Sequence, residues 1–305
     1  MRWGEKRHNS LDYQLKKEFG EKIYKVSLDA GFTCPNRDGT ISKKGCIFCG
    51  DSGSGEFTGD SKKSISIQIK EQINFLNKGE NKKYIAYFQN FTNTYGDITY
   101  LTKIYTEALS HPNIVALAIA TRADCLDDNV LELLDELNKE YFIWLEIGLQ
   151  SIHEESAKLI NRGYELDIFN KSIERLKKIN IKFVVHLIIG LPYETREHIL
   201  KSIEYMNKIM PWGVKIHLLY IIRGTALHDL YLEKPFNILS KEEYIALLIE
   251  IIEKLDENIG IHRLTGDGVK ENLIEPKWSL NKRDILNKIN STLKNKNTWQ
   301  GKERI

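Results

Sequence analysis

Short apolar segments alternate with longer amphipathic segments between residues 22 and 221, and this alternation constrains the fold most. The apolar segments are typical of β-strands and cover residues 22–28, 84–89, 114–120, 142–148, 183–189 and 214–221. Segments with helical spacing lie between them, at residues 64–76, 101–109, 128–138, 167–179 and 195–209. Strands that alternate with helices in this way indicate an α/β fold with a parallel sheet. We expect a partial, open (β/α)6 barrel with its site at the carboxyl ends of the strands.

The alternation changes after Pro235. One long helix is predicted over residues 241–258, followed by a glycine-containing segment at 264–268 and a basic helical tail. The sequence therefore predicts two units, a core barrel with an N-terminal extension at residues 1–235 and an α-rich C-terminal extension at 236–305. The chain has 305 residues, 42% of them hydrophobic, which is enough to build a core for this arrangement.

Charge is nearly balanced overall but uneven along the chain. The formal net charge is only +2, which is unlike a strongly basic nucleic-acid binder. Both ends are nevertheless rich in basic residues: Arg2, Lys6, Arg7, Lys16 and Lys17 at one end, and Lys277, Lys282, Arg283, Lys288, Lys294, Lys296, Lys302 and Arg304 at the other. Two interpretations stay open, a pair of segments that follow a phosphate backbone and a pair of solvated termini.

Four cysteines with three of them clustered do not form the framework of a disulfide-rich secreted protein. Residues 1–6 lack the apolar region of a secretory signal, and no apolar run approaches the roughly 20 residues that a membrane helix needs. We therefore expect a cytoplasmic protein that has no membrane partner.

The three clustered cysteines, Cys34, Cys46 and Cys49, form a metal-binding pattern with one ligand fewer than a structural zinc site needs. Three thiolates on a [4Fe–4S] cluster leave one iron free for a substrate or cofactor. Pro35 holds Cys34 extended, and Cys46 and Cys49 have the short spacing that lets two thiolates face one centre. The alternatives are a zinc site completed by Cys125 or an aspartate, and buried inert thiols.

Further motifs surround and follow the cysteines in order along the chain. They are the segment 25–40, Tyr87-Phe-Gln89, Thr92-Asn-Thr-Tyr95, Thr121-Arg-Ala-Asp-Cys125, Glu146-Ile-Gly-Leu-Gln150, Asn161-Arg-Gly-Tyr164, His186-Leu-Ile-Ile-Gly-Leu-Pro192 and Leu264-Thr-Gly-Asp267. Together they resemble the radical S-adenosylmethionine (SAM) superfamily over nearly the whole chain. The first gap between cysteines is longer than in the usual C-x-x-x-C-x-x-C pattern. This gap is similar to that of the branch that includes the elongator catalytic subunit, and within it the chain resembles the bacterial YhcC/YtqA-type proteins.

The resemblance implies a radical SAM barrel in which Cys34, Cys46 and Cys49 hold a [4Fe–4S] cluster and SAM binds the open iron. It implies SAM contacts from strand ends and their loops, namely Gln89, Arg122, Glu146, Gln150, Arg162, Gly190 and Ile222. Among these, Gln89 would bind the SAM amino group, Gln150 the ribose hydroxyls and Arg162 the carboxylate. Gly190 and Ile222 would lie against the adenine.

Several of these residues have a structural interpretation as well. Gln89 satisfied by backbone, Arg122 in a purely structural pair with Asp124, and Gly190 in a simple strand-to-helix turn all stay open. His186 is predicted to line the core or the barrel, and Cys125 to be a small buried side chain and not a second thiol in the cavity. No residue is assigned as a catalytic acid or base.

The resemblance also implies a substrate and an electron donor. The branch points to tRNA, and the family implies conversion of the wobble nucleoside 5-carboxymethylaminomethyl-uridine to 5-aminomethyl-uridine. Reduction of the cluster requires a donor such as flavodoxin or ferredoxin. Two alternatives stay open: a radical SAM enzyme that acts on a small metabolite, and a non-catalytic, zinc-stabilised RNA-binding protein.

Overall fold

Seven parallel strands form the centre of the chain. The computed structural model describes residues 3–50, 53, 58–78, 81–266 and 270–304. The strands are β1 Tyr24–Leu28, β2 Tyr84–Phe88, β3 Ile114–Thr121, β4 Phe142–Gln150, β5 Lys182–Ile189, β6 Gly213–Leu218 and, after a short strand β7 Ile221–Ile222, β8 Gly260–Arg263. Their order in the sheet is β1-β2-β3-β4-β5-β6-β8, and every neighbouring pair is parallel. The predicted open parallel barrel is confirmed, with a seventh strand that the prediction lacked.

Helices connect the strands and cover the outer face of the sheet. They are α1 Leu11–Phe19, α2 Ile65–Leu76, α3 Ile98–Leu109, α4 Asp128–Asn138, α5 Glu154–Leu159, α6 Leu166–Lys178, α7 Arg196–Ile209, α8 Ala226–Glu233, α9 Lys241–Lys254 and α10 Lys282–Asn295. Side chains of Ser10, Asp97 and Asp127 accept hydrogen bonds from the first turns of α1, α3 and α4. None of the described helices has the length and apolar composition that crossing a bilayer requires.

The predicted helix 241–258 ends four residues early, at Lys254. Leu255 is extended, and the backbone N–H of Asp256 donates to the side chain of Asn207 at 2.8 Å. This bond ties the chain to the end of α7 and turns it toward β8, so the segment after Lys254 leaves the helix.

The two faces of the sheet differ in chemistry. Leu145 and Ile147 of β4 point into the apolar layer beneath the outer helices. Their neighbours Trp144 and Glu146 lie on the inner, concave face, because successive side chains in a strand alternate. At the amino ends of the strands, Leu15 of α1 packs with Trp144 in a small apolar cluster that closes this end of the barrel. Among the described residues, this cluster covers the inner face at the amino ends of the strands.

The segment after residue 235 shares the core of the barrel, because β8 pairs with β6 and α10 packs on α9. A strand β9 Leu273–Glu275 also pairs antiparallel with β7. The two ends of the chain meet near the start of β8, where the N–H of Asn9 donates to Gln300 Oε1 at 2.8 Å. This contact lies at the edge of the sheet opposite the cysteine loop. The division of the chain at residue 235 stays a prediction.

Candidate functional site

The loop that carries the three cysteines follows β1 and folds over the carboxyl edge of the sheet. The N–H groups of Arg37 and Asp38 donate to the carbonyl of Cys34 at 2.8 and 3.1 Å, so a turn begins at the first thiol. A second turn joins the other two thiols, where the N–H of Cys49 donates to the carbonyl of Cys46 at 3.0 Å. All three side chains line one cavity.

The turn between α5 and α6 holds this loop in place. Asn36 Nδ2 donates to the carbonyl of Asn161 at 2.6 Å, and Asn161 Nδ2 donates to the carbonyl of Gly45 at 2.6 Å. At Gly163 the backbone has a φ of +82°, and a Cβ there would lie 2.9 Å from Asn36 Oδ1. Glycine is required at this position both for its conformation and for the close approach of the cysteine loop.

Burial opposes ionisation of two of the three thiols, those of Cys46 and Cys49. It raises the pKa of Cys46 to about 12 and also raises the pKa of Cys49. Arg122 beside Cys46 and Arg37 beside Cys49 act in the opposite direction, and Asn36 Nδ2 lies 3.6 Å from Cys46 Sγ. These donors and positive charges suit sulfur atoms that carry negative charge when bound to a metal centre.

The set of sulfur donors fits a four-iron cluster with one open iron. Among the described residues, the cavity lining contains neither Cys125 nor an aspartate that would complete a zinc site. Cys125 lies instead on the short turn after β3, with its Sγ 3.8 Å from Asp124 Oδ1. Within the part of the chain that the structure describes, no three His, Cys, Asp or Glu side chains are arranged to hold a single metal ion such as zinc. Three thiols around one cavity match the ligands of a cluster whose fourth iron faces that cavity.

The cavity lies between the cysteine loop and the inner face of the sheet and has a volume of about 320 Å³. This size is in the range of small-molecule binding sites. The structure brings most of the predicted contact residues into its lining: Gln89, Arg122, Glu146, Gln150, Arg162 and Ile222. Gly190 is not among the lining residues, and a Cβ there would meet the side chains of Leu239 and Leu219.

Arg122 lines the cavity while it is paired with Asp124. Its Nε and Nη2 donate to the two carboxylate oxygens of Asp124 at 2.9 and 2.7 Å, a bidentate pair that is largely buried. The guanidinium group also lies 5.1 Å from the centre of the Tyr164 ring. Arg122 therefore belongs to a structural pair and also lines the cavity, and its contact with SAM stays a prediction.

Arg162 is almost fully buried and organises the end of β4. It donates to the backbone carbonyls of Leu149, Ser151 and Tyr164 at 3.1, 2.7 and 2.9 Å. Its Nη2 lies 3.6 Å from Glu154 and has no hydrogen-bond partner among the described residues. Arg162 therefore fixes the strand end and also lines the cavity.

Gln150 adopts a φ of +69° at the end of β4. A Cβ at Gly148 would lie only 2.8 Å from Gln150 Nε2, so the amide folds back over this glycine into the space that a side chain would otherwise fill. The glycine in the middle of the Glu-Ile-Gly-Leu-Gln motif is what lets the amide reach the cavity.

Glu146 lies deeper, with 2% of its surface exposed, and is surrounded by donors. It accepts from Lys215, from the Tyr87 hydroxyl at 2.6 Å and from Trp144 Nε1 at 3.3 Å, and it lies 3.1 Å from His186 Nε2. Although burial opposes ionisation, Lys215 and His186 hold the pKa of Glu146 well below its usual range. Glu146 is thus the anionic centre of a buried network.

The sequence interpretation assigned no role to four residues of this network and its surroundings, namely Tyr87, Lys215, His217 and Arg263. For two of them a signal existed. Lys215 and His217 alternate with Val214, Ile216 and Leu218 along β6, which places the polar pair on the inner face. Arg263 had no such signal, because β8 was not predicted to be a strand.

The fold and the site define an open parallel α/β barrel with a three-thiol centre at its carboxyl edge. The family model described as the Radical SAM superfamily matches residues 34–206, and the model of the Radical_SAM C-terminal domain matches residues 211–295. The chain belongs to the radical SAM superfamily. The resemblance that the motifs suggested is confirmed.

The chain is also similar in sequence to individual known proteins. It is 40% identical to the uncharacterized protein YtqA of Bacillus subtilis over 299 residues, which cover 98% of this chain and 93% of YtqA. It is 31% identical over 137 residues to the tRNA uridine(34) acetyltransferase of Methanocaldococcus infernus, covering 44% of this chain and 25% of that enzyme. These matches connect the chain over its length to YtqA, and over a shorter segment to a tRNA-modifying enzyme.

Solved structures share the fold at low sequence identity. The archaeal Elp3 of Methanocaldococcus infernus superimposes with a TM-score of 0.69 at 19% identity, covering 91% of this chain and 64% of that chain. This chain therefore spans less than two thirds of the Elp3 structure. The structure of anSMEcpe with bound AdoMet gives a TM-score of 0.51 at 15% identity, covering 79% of this chain and 63% of that chain.

Proposed function

We propose that the chain is a radical SAM enzyme of tRNA modification that converts 5-carboxymethylaminomethyl-uridine at the wobble position to 5-aminomethyl-uridine. The observation that carries the enzymatic part is the single cavity lined by Cys34, Cys46 and Cys49 and by polar strand ends. The membership of the family and the match to a tRNA uridine(34) acetyltransferase support the substrate class.

The three cysteines would hold a [4Fe–4S] cluster, with SAM on the open iron. When bound, this pair would supply the reactive species that removes a hydrogen atom from the carbon between the amine and the carboxylate of the substrate. Loss of one further electron would give an imine, which water would cleave to the aminomethyl nucleoside and glyoxylate, with SAM as the oxidant. The residues of the chain bind, orient and shield: Arg37 and Arg122 offset the negative charge of the thiolates, and the closed amino end of the barrel excludes water from below. An electron donor such as flavodoxin or ferredoxin would reduce the cluster.

We propose Gln89, Arg122, Gln150, Arg162 and Ile222 as SAM contacts because they line the cavity together with the thiols. Arg162 Nη2, which lacks a hydrogen-bond partner among the described residues, suits the SAM carboxylate. Glu146 and Gly190 were predicted with them and are weaker proposals. The carboxylate of Glu146 already has four neighbours, and Gly190 lies behind Leu219 and Leu239.

Exposed groups around the cavity edge suit RNA. Lys43 and Lys44 are exposed on the cysteine loop itself. Tyr193, which follows β5, is 55% exposed, and the ammonium group of Lys234 lies 5.1 Å from its ring centre. Lysines bind phosphates, and an exposed aromatic ring stacks on a base, so this edge has both components of an RNA interface. An enzyme of tRNA would work in the cytoplasm, the location we propose.

The proposal is tested by tRNA nucleoside analysis combined with a reaction of purified components. Cells that lack the gene should accumulate 5-carboxymethylaminomethyl-uridine, and the anaerobically reconstituted protein with SAM and a reductant should convert it to 5-aminomethyl-uridine. An unchanged nucleoside profile, together with SAM cleavage that tRNA does not affect, would exclude this substrate. A colourless protein that retains zinc after anaerobic purification would exclude the radical chemistry as well.

A further inference from the structure

We infer that the floor of the cavity is a subsite for a carboxylate group of the substrate. The floor is defined by the lining side chains Tyr87, Glu146, His186, Lys215, His217 and Arg263. This inference rests on the proposed function, in which the carbon atom that loses hydrogen carries a carboxylate. It assigns a recognition role to residues that, apart from Glu146, are not among the proposed SAM contacts.

The floor and the thiols lie at opposite ends of one cavity. Lys215 is the register partner of His186 on one side and of Arg263 on the other, so three strands bring these groups side by side on the inner face. Tyr87 and Glu146 extend the same layer across β2 and β4. The cysteines, in contrast, lie on a loop beyond the carboxyl end of β1. A substrate that enters from the carboxyl edge would pass the thiol end before its tip reaches the floor.

The floor carries more positive than negative charge. Among the described lining residues, Lys215 and Arg263 are cationic there, and Glu146 is the single carboxylate. The amine of Lys25 lies 4.2 Å from the centre of the Tyr87 ring and that of Lys215 lies 4.7 Å from it; burial lowers the pKa of Lys25 to about 7 and also lowers the pKa of Lys215. Lys215 and Arg263 line the cavity, and a negative charge close to them would favour the charged form of the lysine. A carboxylate from the substrate would supply that charge.

His217 provides the second, independent sign of a ligand. Its Nε2 is buried and has no hydrogen-bond partner among the described residues, although the ring lines the cavity. The ring stands 5.0 Å from that of His186, centre to centre. Burial holds the pKa of His217 well below its usual range, so the ring is neutral, and with its proton on Nε2 it would donate a hydrogen bond to a ligand in the cavity. A buried polar atom without a partner usually marks a site for a ligand group or a water molecule.

The test compares two anticodon stem-loop RNAs that differ only in the wobble nucleoside, 5-carboxymethylaminomethyl-uridine in one and 5-aminomethyl-uridine in the other. Binding is measured on the cluster-loaded protein with saturating SAM and no reductant, so that no turnover occurs. We expect Arg263→Gln and His217→Phe each to lower the preference for the carboxylate RNA by about tenfold, because each removes a donor to a charged group. The Kd of the aminomethyl RNA should stay unchanged.

The controls are Arg196→Gln and Lys182→Met, which remove cations outside the cavity lining and should leave the preference as it is. A wild-type preference that survives both floor substitutions would overturn the inference while leaving the proposed conversion intact. If neither RNA binds, the proposed function fails and a second probe decides the subsite. Acetate, compared with neutral acetamide, should then bind the SAM-loaded wild type and not the two variants. No acetate binding to the wild type, or equal binding to the variants, would refute the subsite.

Discussion

At the scale of single residues, Glu146 and Lys215 form a buried ion pair. The fold alone does not require charged side chains at these two positions. Both side chains are at most 5% exposed and lie in direct contact. Taking two charges out of water costs several kcal/mol per ion, a cost that their attraction only partly offsets. The Tyr87 hydroxyl bonds to both partners, which satisfies further lone pairs and protons. We interpret the pair as a support of the cavity floor.

Lys215→Met should destabilise the protein strongly, because it leaves Glu146 buried without its main cation. We expect a loss of about 3 to 5 kcal/mol in the free energy of unfolding. Urea denaturation monitored by circular dichroism measures it. The double variant Lys215→Met/Glu146→Gln removes both charges and should recover a large part of the loss. A double variant no more stable than the single one would contradict this account.

Buried histidines predict an acid dependence of stability. Burial lowers the pKa of His8 to about 4 and that of His262 to about 3. An unfolded histidine has a pKa of about 6.5. Below that pH the unfolded state binds protons that the native state does not, so the free energy of unfolding falls as the pH falls. Each residue should remove about 1.5 kcal/mol between pH 6.5 and 5.

Urea denaturation at the two pH values checks this dependence, with His262→Gln as the comparison. Between pH 6.5 and 5, the free energy of unfolding should fall less in the variant than in the wild type. The difference should equal the contribution of His262. Equal losses in the two proteins would show that His262 protonates with its ordinary pKa in the native state.

At the scale of elements, the short turn between α5 and α6 decides where the cysteine loop lies. The N–H of Ile47 donates to the carbonyl of Ile160 at 3.1 Å, and the amides of Asn36 and Asn161 cross-link the two segments. The Asn-Arg-Gly-Tyr motif supplies Arg162 to the cavity lining, and it therefore has a second role as well. It docks the metal-binding loop onto the barrel.

Gly163→Ala should loosen this docking and lower the amount of cluster retained per protein. The added methyl group would meet Asn36 at 2.9 Å in a backbone conformation that alanine disfavours. Gly20→Ala is the matched control, since Gly20 has a φ of +73° but nothing within 4 Å of its Cβ position. Iron and sulfide analysis after anaerobic reconstitution measures the outcome. Equal iron content in the two variants would show that the close approach is unimportant.

The sequence predicted the elements with strong periodicity and missed those defined by long-range packing. The helix at 128–138 was predicted at its observed bounds, and its apolar spacing and its Asp127 cap explain why. β8 has four residues and is a strand only because β6 lies beside it. The strand predicted at 214–221 divides after Leu218, since Ile221 pairs with Glu275 in a separate ladder. Such pairings are not visible in local sequence.

The candidate site was predictable in part for the same reason. The thiols were found because their spacing is local, and the strand-end motifs were found through resemblance to a family. Arg263 belongs to a strand that has no local signal, and the docking role of Asn161 depends on a contact with Gly45, 116 residues earlier. Asp267 of the last motif lies outside the described residues.

At the scale of the whole molecule, the two ends of the barrel have different tasks. The basic chain ends meet near the start of β8, where Arg7 donates to Asn297 Oδ1 at 3.1 Å. That contact is remote from the cysteine loop. Lys43 and Lys44, on the loop itself, are better placed than the termini to hold an RNA whose nucleoside enters the cavity.

Lys43→Ala/Lys44→Ala should weaken tRNA binding and reduce the steepness of its salt dependence, because two phosphate contacts are lost. The affinity should fall about tenfold at moderate salt. The control, Lys177→Ala/Lys178→Ala, removes two exposed lysines at the end of α6, which lies near the amino ends of the strands. Binding curves at several salt concentrations separate the two. A similar loss of tRNA affinity in both double variants would mean that the position of the lysines does not matter for binding.

The central claim is that three thiolates hold a four-iron cluster whose open iron binds SAM. Electron paramagnetic resonance of the reduced, reconstituted protein, recorded with and without SAM, tests it most directly. We predict a [4Fe–4S] signal that shifts when SAM is added, is lost in Cys34→Ala, Cys46→Ala and Cys49→Ala, and persists in Cys125→Ala. A signal that SAM leaves unchanged, or a protein that holds zinc in place of iron, would contradict the claim.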